Sequence, residues 1–143
     1  MTGGGQIDKV KLGRTNLRVT PICFGTSGLG DMPGTYGYAV DEERARATVR
    51  AILAGPVNFL DTSRNYGMGR SEARVGAVIK EQGGLPPGFV LSTKLDRDME
   101  TLRFDASRAR RSLEESLEAL NVDRIQLLHL PDPEHAADLG EIT

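Results

Sequence analysis

The run Val90-Leu91-Ser92-Thr93-Lys94, inside an apolar segment over residues 89–95, reads as a buried strand that closes on a lysine. A strand covered on both faces rarely tolerates an ammonium group without a partner or a task. The same design recurs on either side. Val57-Asn58-Phe59-Leu60 leads into Asp61, and Ile125-Gln126-Leu127-Leu128 leads into His129. Upstream, Ile22-Cys23-Phe24 runs into Gly25 and Thr26 and reads as a first buried strand, with Cys23 as an apolar filler. Thr26 to Asp61 is 35 residues, Asp61 to Lys94 is 33, and Lys94 to His129 is 35. Each unit therefore presents a polar residue at the C-terminal end of its strand.

Helical signals fill the intervals. Asp41 can cap a helix with Glu42 and Glu43 in its first turn and Ala45, Val49, Ile52 and Leu53 at helical spacing, stopped by Gly55 and Pro56. Ser71 reads as the N-cap of a second helix bearing Val75, Val78 and Ile79, broken by Gly83, Gly84, Pro86 and Pro87. Asp105 caps a third, with Ala109, Leu113, Leu117 and Leu120 on one face. Ahead of these, residues 10–19 read as a small hairpin turning at residues 13–16, and residues 25–37 as a glycine-rich loop. The fold class is α/β: an N-terminal β-hairpin plus four βα-type units, whose alternation implies a parallel sheet. An open flavodoxin-like sheet is the structural alternative, because the element order alone does not force closure. Ankyrin, leucine-rich and tetratricopeptide patterns are absent, so the period is that of a plain βα unit rather than a solenoid.

Composition narrows the function classes. The 143 residues are 38% hydrophobic, enough for one domain with a core. Eighteen Lys and Arg face 20 Asp and Glu, scattered along the chain rather than gathered in a stripe, which speaks against nucleic acid. A lone cysteine, no N-terminal apolar segment and no long apolar run point to a cytoplasmic protein with no membrane partner. Residues 1–9, with three glycines at positions 3–5, are expected as a flexible leader and residues 131–143 as a terminal tail. His135 reads as solvent-exposed, and no metal site is expected.

Side chains alternate along a strand, so Asp61 should share a face with Phe59, Lys94 with Ser92 and His129 with Leu127. If those phases point inward, a carboxylate, an ammonium and an imidazole converge at one depth. Tyr66 follows Asp61 in the loop Asp61-Thr62-Ser63-Arg64-Asn65-Tyr66-Gly67, where its hydroxyl can fold back over the strand ends. Its free pKa of about 10 is too high for easy proton transfer unless a cation stabilises the phenolate. Lys94 would supply that cation, Asp61 would keep it charged, and His129 could hold a carbonyl or alcohol oxygen. Taken singly these residues have plainer roles. Asp61 could cap a turn, Tyr66 could be a packed loop aromatic, and His129 could be a satisfied core histidine. Arg108, Arg110 and Arg111 with Glu114, Glu115 and Glu118 read as a solvated helix face. Gly28-Leu29-Gly30 is followed by Pro33 where a dinucleotide fingerprint needs glycine or alanine, so a Rossmann reading fails.

Phe24-Gly25-Thr26, Asn58-Phe59-Leu60-Asp61-Thr62, Tyr66-Gly67, Ser71-Glu72, Ser92-Thr93-Lys94 and Leu127-Leu128-His129 together resemble the successive signatures of the aldo-keto reductases. The resemblance implies the first half of a (β/α)8 TIM barrel plugged at its base by the hairpin, with NADP or NAD as hydride carrier. It implies a catalytic tetrad of Asp61, Tyr66, Lys94 and His129, with Gly25, Thr26 and Asp61 near the nicotinamide and its ribose. A small carbonyl or sugar substrate follows, interconverted with its alcohol, or aldose with lactone. Residues 28–31 and 108–123 further resemble the bacterial branch acting on aldoses such as L-fucose, or on pyridoxal, although Pro131 departs from that pattern. A complete barrel needs eight strands and roughly 250 residues. Residues 1–143 are therefore expected to form a single incomplete domain of a truncated chain, with activity of the chain alone left open. The alternatives are a non-catalytic half-barrel remnant and a half-barrel that self-associates through its open edges.

Overall fold

The structure is a computed structural model, and it describes residues 5–132. Residues 1–4 of the expected leader, and His135 with most of the expected tail, lie outside the described residues. A two-stranded antiparallel hairpin, β1 (Val10–Lys11) and β2 (Arg18–Val19), precedes a four-stranded parallel sheet. The sheet runs β3 (Phe24–Gly25), β4 (Phe59–Asp61), β5 (Val90–Lys94) and β6 (Leu127–His129), side by side in chain order. The connections carry α2 (Glu42–Ala54), α3 (Arg70–Glu81) and α4 (Ala106–Leu120).

Sequential strand order with neighbouring helices packed together on one face is the arrangement of a barrel wall. A flavodoxin-like sheet doubles back in strand order and covers both faces, so that alternative is set aside. The core lies between sheet and helices. Leu60 of β4 and Leu91 of β5 meet Val49, Ile52 and Leu53 of α2, Val75, Val78 and Ile79 of α3, and Leu120 of α4. The α3–α4 crossing is tight because residue 76 is glycine. A Cβ there would lie 1.9 Å from the Ala119 carbonyl oxygen, and the Asn121 side chain donates to the Gly76 carbonyl at 3.0 Å.

The hairpin is fastened to the N-terminal ends of the strands through Asn58. Its Oδ1 accepts from the Thr20 amide at 2.8 Å, and its Nδ2 donates to the Arg18 and Gly88 carbonyls. The hairpin is therefore tied to the base of the sheet, away from the C-terminal strand ends.

Two expected caps form as read: the side chains of Asp41 and Asp105 accept from the Arg44 and Arg108 amides. Ser71 does not cap α3. The helix begins two residues earlier than that cap implies, at Arg70, Gly69 occupies the cap position at φ 94°, and the Ser71 hydroxyl turns inward. The stretch 25–37 is not a plain loop, since it holds a 3-10 turn at Ser27–Gly30 and a short helix α1 at Pro33–Tyr36. The first strand is not buried either. Ile22, Cys23 and Phe24 are exposed, at the edge of the sheet where β3 has a strand neighbour on one side only among the described residues. Finally, Arg108 and Glu115 leave the solvated face. Arg108 turns against buried Asp96 and, with Arg64, brackets Glu115, while Arg110, Arg111, Glu114 and Glu118 stay exposed.

Candidate active site

The register places Asp61 opposite Ser92, and Lys94 opposite His129. Side chains at Asp61, Ser92, Lys94 and His129 therefore point to the face opposite the helices, as strand alternation requires. They do not sit at one depth. Asp61 and Ser92 form one row and Lys94 and His129 the next, so the lysine reaches back toward the aspartate. Its Nζ donates to Asp61 Oδ2 at 2.6 Å and to the Thr62 carbonyl at 2.8 Å. The other carboxylate oxygen accepts from Ser92 Oγ at 2.8 Å. Both carboxylate oxygens and two of the three ammonium protons are thus engaged, which fixes the pair in a site about three-quarters shielded from solvent.

Tyr66 lies in the turn between β4 and α3, half-buried, with the Lys94 ammonium 5.2 Å from its ring centre. What sets this turn is a backbone contact that the sequence reading passed over. Gly67, at φ 63°, packs so closely on the 3-10 turn that a Cβ would lie 1.9 Å from the Gly30 carbonyl oxygen, and a Cβ on Gly30 would lie 2.8 Å from the Gly67 nitrogen. The Gly28-Leu29-Gly30 motif, weak as a dinucleotide signal, acts here as a seat for Tyr66. Arg74 holds the same seat from below, its buried guanidinium donating to the Leu29 and Val40 carbonyls and pairing with Glu42.

Gly25 pairs with Asp61 across β3 and β4, and nothing lies within 4 Å of where its Cβ would be. Thr26 is fully buried, and its amide and hydroxyl both donate to the Asp61 carbonyl at 3.1 Å. His129 projects from β6 and is exposed. Among the described residues neither its ring nor the Tyr66 hydroxyl has a hydrogen-bond partner. Asp61, Lys94 and Tyr66 are therefore brought together, with His129 on the adjoining strand. Cys23 is close enough to Asp61 and Lys94 to feel both, and partial burial together with the aspartate pushes its thiol pKa up.

The sequence reading missed the polar layer behind the strands. Ser71 Oγ lies 2.9 Å from both the Thr26 carbonyl and Thr26 Oγ1, and 3.2 Å from Thr62 Oγ1. Glu72, fully buried, accepts on Oε1 from Thr93 Oγ1 at 2.7 Å and from Ser116 Oγ at 2.9 Å, while its Oε2 has no partner. Burial pushes its carboxyl pKa up, against the two hydroxyl donors that pull it down. The only sequence clue was Ser71-Glu72 itself, where a helix start was expected. No helix among the described residues is long and apolar enough to cross a membrane.

The chain is 38% identical over 129 residues to L-galactose dehydrogenase of Arabidopsis thaliana, a match that takes in 90% of this chain and 39% of the relative. It is 31% identical over 149 residues to D-threo-aldose 1-dehydrogenase of a Pseudomonas species, covering 87% of this chain and 44% of that protein. The solved structure of Bombyx mori aldo-keto reductase AKR2E4 in complex with NADP superposes with a TM-score of 0.64 at 26% identity, over 93% of this chain and 42% of that one. The chain thus spans about two fifths of the length of these relatives. Its partial α/β fold resembles the N-terminal portion of their barrel. The model of the aldo/keto reductase family matches residues 21–143, and to that family the chain belongs.

Proposed function

We propose that this chain carries the proton-transfer site of a nicotinamide-dependent oxidoreductase that interconverts a carbonyl and an alcohol, or an aldose and its lactone. The observation that carries the reading is the Lys94 ammonium, held by Asp61 and the Thr62 carbonyl and facing Tyr66 at 5.2 Å. A fixed cation beside a phenol stabilises the negative charge that develops on its oxygen as the proton moves. In reduction Tyr66 gives its hydroxyl proton to the substrate oxygen; in oxidation it takes that proton back. His129, exposed on the adjoining strand, orients the oxygen. NADP or NAD, when bound, supplies or accepts the hydride.

Gly25 and Asp61 fit the nicotinamide end, because the missing side chain at residue 25 leaves open space beside the carboxylate. Thr26 acts there indirectly, because its amide and hydroxyl are committed to the Asp61 carbonyl and its own carbonyl to Ser71, which holds the end of β3 against β4. The sugar dehydrogenases among the relatives favour an aldose as substrate. Substituting Tyr66 by Phe in the active enzyme should abolish turnover and leave cofactor affinity unchanged. Undiminished turnover would overturn the assignment. Titrating the chain with NADPH and following nicotinamide fluorescence tests whether it binds the carrier unaided.

One observation favours a second reading, a non-catalytic half-barrel that pairs with a second copy. Ile22 is 60% exposed, Phe24 39% and Leu128 37%, all on or beside the two outer strands. Sedimentation decides it: a dimer supports pairing through these edges, and a stable monomer removes it.

A further inference from the structure

We propose that Ser71 and Glu72 are positioning residues for the tetrad, the first turn of α3 acting as a common anchor that sets Lys94 of β5 against Tyr66. This rests on the functional reading above. The geometry is two-armed. Ser71 reaches the C-terminal ends of β3 and β4 through Thr26 and Thr62, and its amide donates to the Tyr66 carbonyl at 3.2 Å. Glu72 reaches the end of β5 through Thr93, the residue before Lys94, and also holds α4 through Ser116.

Tyr66 and Lys94 share no hydrogen bond, only the cation-to-ring contact. Their spacing is therefore set by what both are fastened to, and the first turn of α3 is fastened to both. A buried carboxyl with one oxygen doubly engaged and the other orphaned is a costly way merely to join two helices and a strand. Arg64 and Asp96 also bear on Glu72 through their charges, and neither bonds it. Its role toward Lys94 accordingly runs through the Thr93 hydroxyl.

The test follows the ultraviolet absorbance of the Tyr66 phenolate in the full chain, with Tyr36 and Tyr38 replaced by Phe so that one tyrosine reports. Lys94→Met serves as the reference and should raise the midpoint most. Glu72→Ala and Thr93→Val should each raise it by about half a pH unit or more, as the cation drifts from the ring. Glu72→Gln keeps a carbonyl oxygen for Thr93 and Ser116 and should restore the original midpoint. The sign is diagnostic, because simply deleting a nearby negative charge would lower the midpoint. A midpoint lowered or unmoved in both Glu72→Ala and Thr93→Val, with Lys94→Met still raising it, overturns the positioning role and leaves the tetrad standing. An unmoved midpoint in Lys94→Met overturns the tetrad reading and this inference with it. If Glu72→Ala fails to fold, Thr93→Val, which preserves shape, decides alone.

Discussion

Strands β4 and β5 are paired on both sides, whereas β3 and β6 have one strand neighbour each among the described residues. The site divides along the same line. Asp61 and Lys94, on the inner pair, hold each other and are held by Ser92 and Thr62. Gly25 and His129, on the outer pair, are exposed. Fixed electrostatics thus come from strands the sheet has already enclosed, and the groups proposed to meet ligands come from strands with a free side.

The sharpest way to break this comparison is to cut the same side chain on an inner and an outer strand. Leu91→Ala should cost about 2–5 kcal/mol, because Leu91 is fully buried between sheet and helices. Leu128→Ala, on the matching face of β6 but 37% exposed, should cost less than about 1 kcal/mol. Urea unfolding measures both, and equal losses would show that the outer strands are as well packed as the inner ones.

A smaller contrast lies within the tetrad. Asp61→Asn strips Lys94 of its counter-charge and should cost about 1–3 kcal/mol. His129→Gln, at a side chain without a partner among the described residues, should change stability by less than about 0.5 kcal/mol. A His129 variant as damaging as the Asp61 variant would mean that the histidine belongs to the scaffold.

The smallest effect is a slope. Burial raises the Glu72 pKa, so the folded chain keeps this proton to higher pH than the unfolded chain does. The contribution is whole below the ordinary carboxylate range, declines as pH rises through the folded pKa, and then levels off. Glu72→Gln cannot titrate, so its stability relative to the parent should improve from acid toward neutral pH. A difference independent of pH would show that Glu72 titrates alike in the folded and unfolded states.

Much of this was legible in the sequence because its signals were local. Apolar runs gave the strands, helical spacing gave the helices, and Asp41 and Asp105 announced their caps three residues before the amides they bind. Alternation alone put Asp61 in phase with Phe59, Lys94 with Ser92 and His129 with Leu127, but did not say which face of the sheet that phase meets. The buried polar layer left no such mark. Ser71 meets Thr26 across 45 residues and Glu72 meets Ser116 across 44, so no window of sequence holds both partners. Ser71 looked like a cap because caps and inward hydrogen bonds use the same hydroxyl. Arg108 and Glu115 looked solvated because charge pattern cannot tell a water-facing side chain from one aimed at a distant partner of opposite charge. Cys23 and Phe24 looked buried because an apolar strand reads the same whether or not a neighbour covers it.

Cys23 gives the molecule a practical handle. It is the sole thiol in the chain, exposed, and two residues before the glycine that pairs with Asp61. A fluorophore attached there would sit at the rim of the site without any engineered mutation, and would register a second protein surface closing over β3. Its raised pKa keeps most of the thiol protonated at neutral pH, so labelling should be slow there and quicken as the medium is made alkaline.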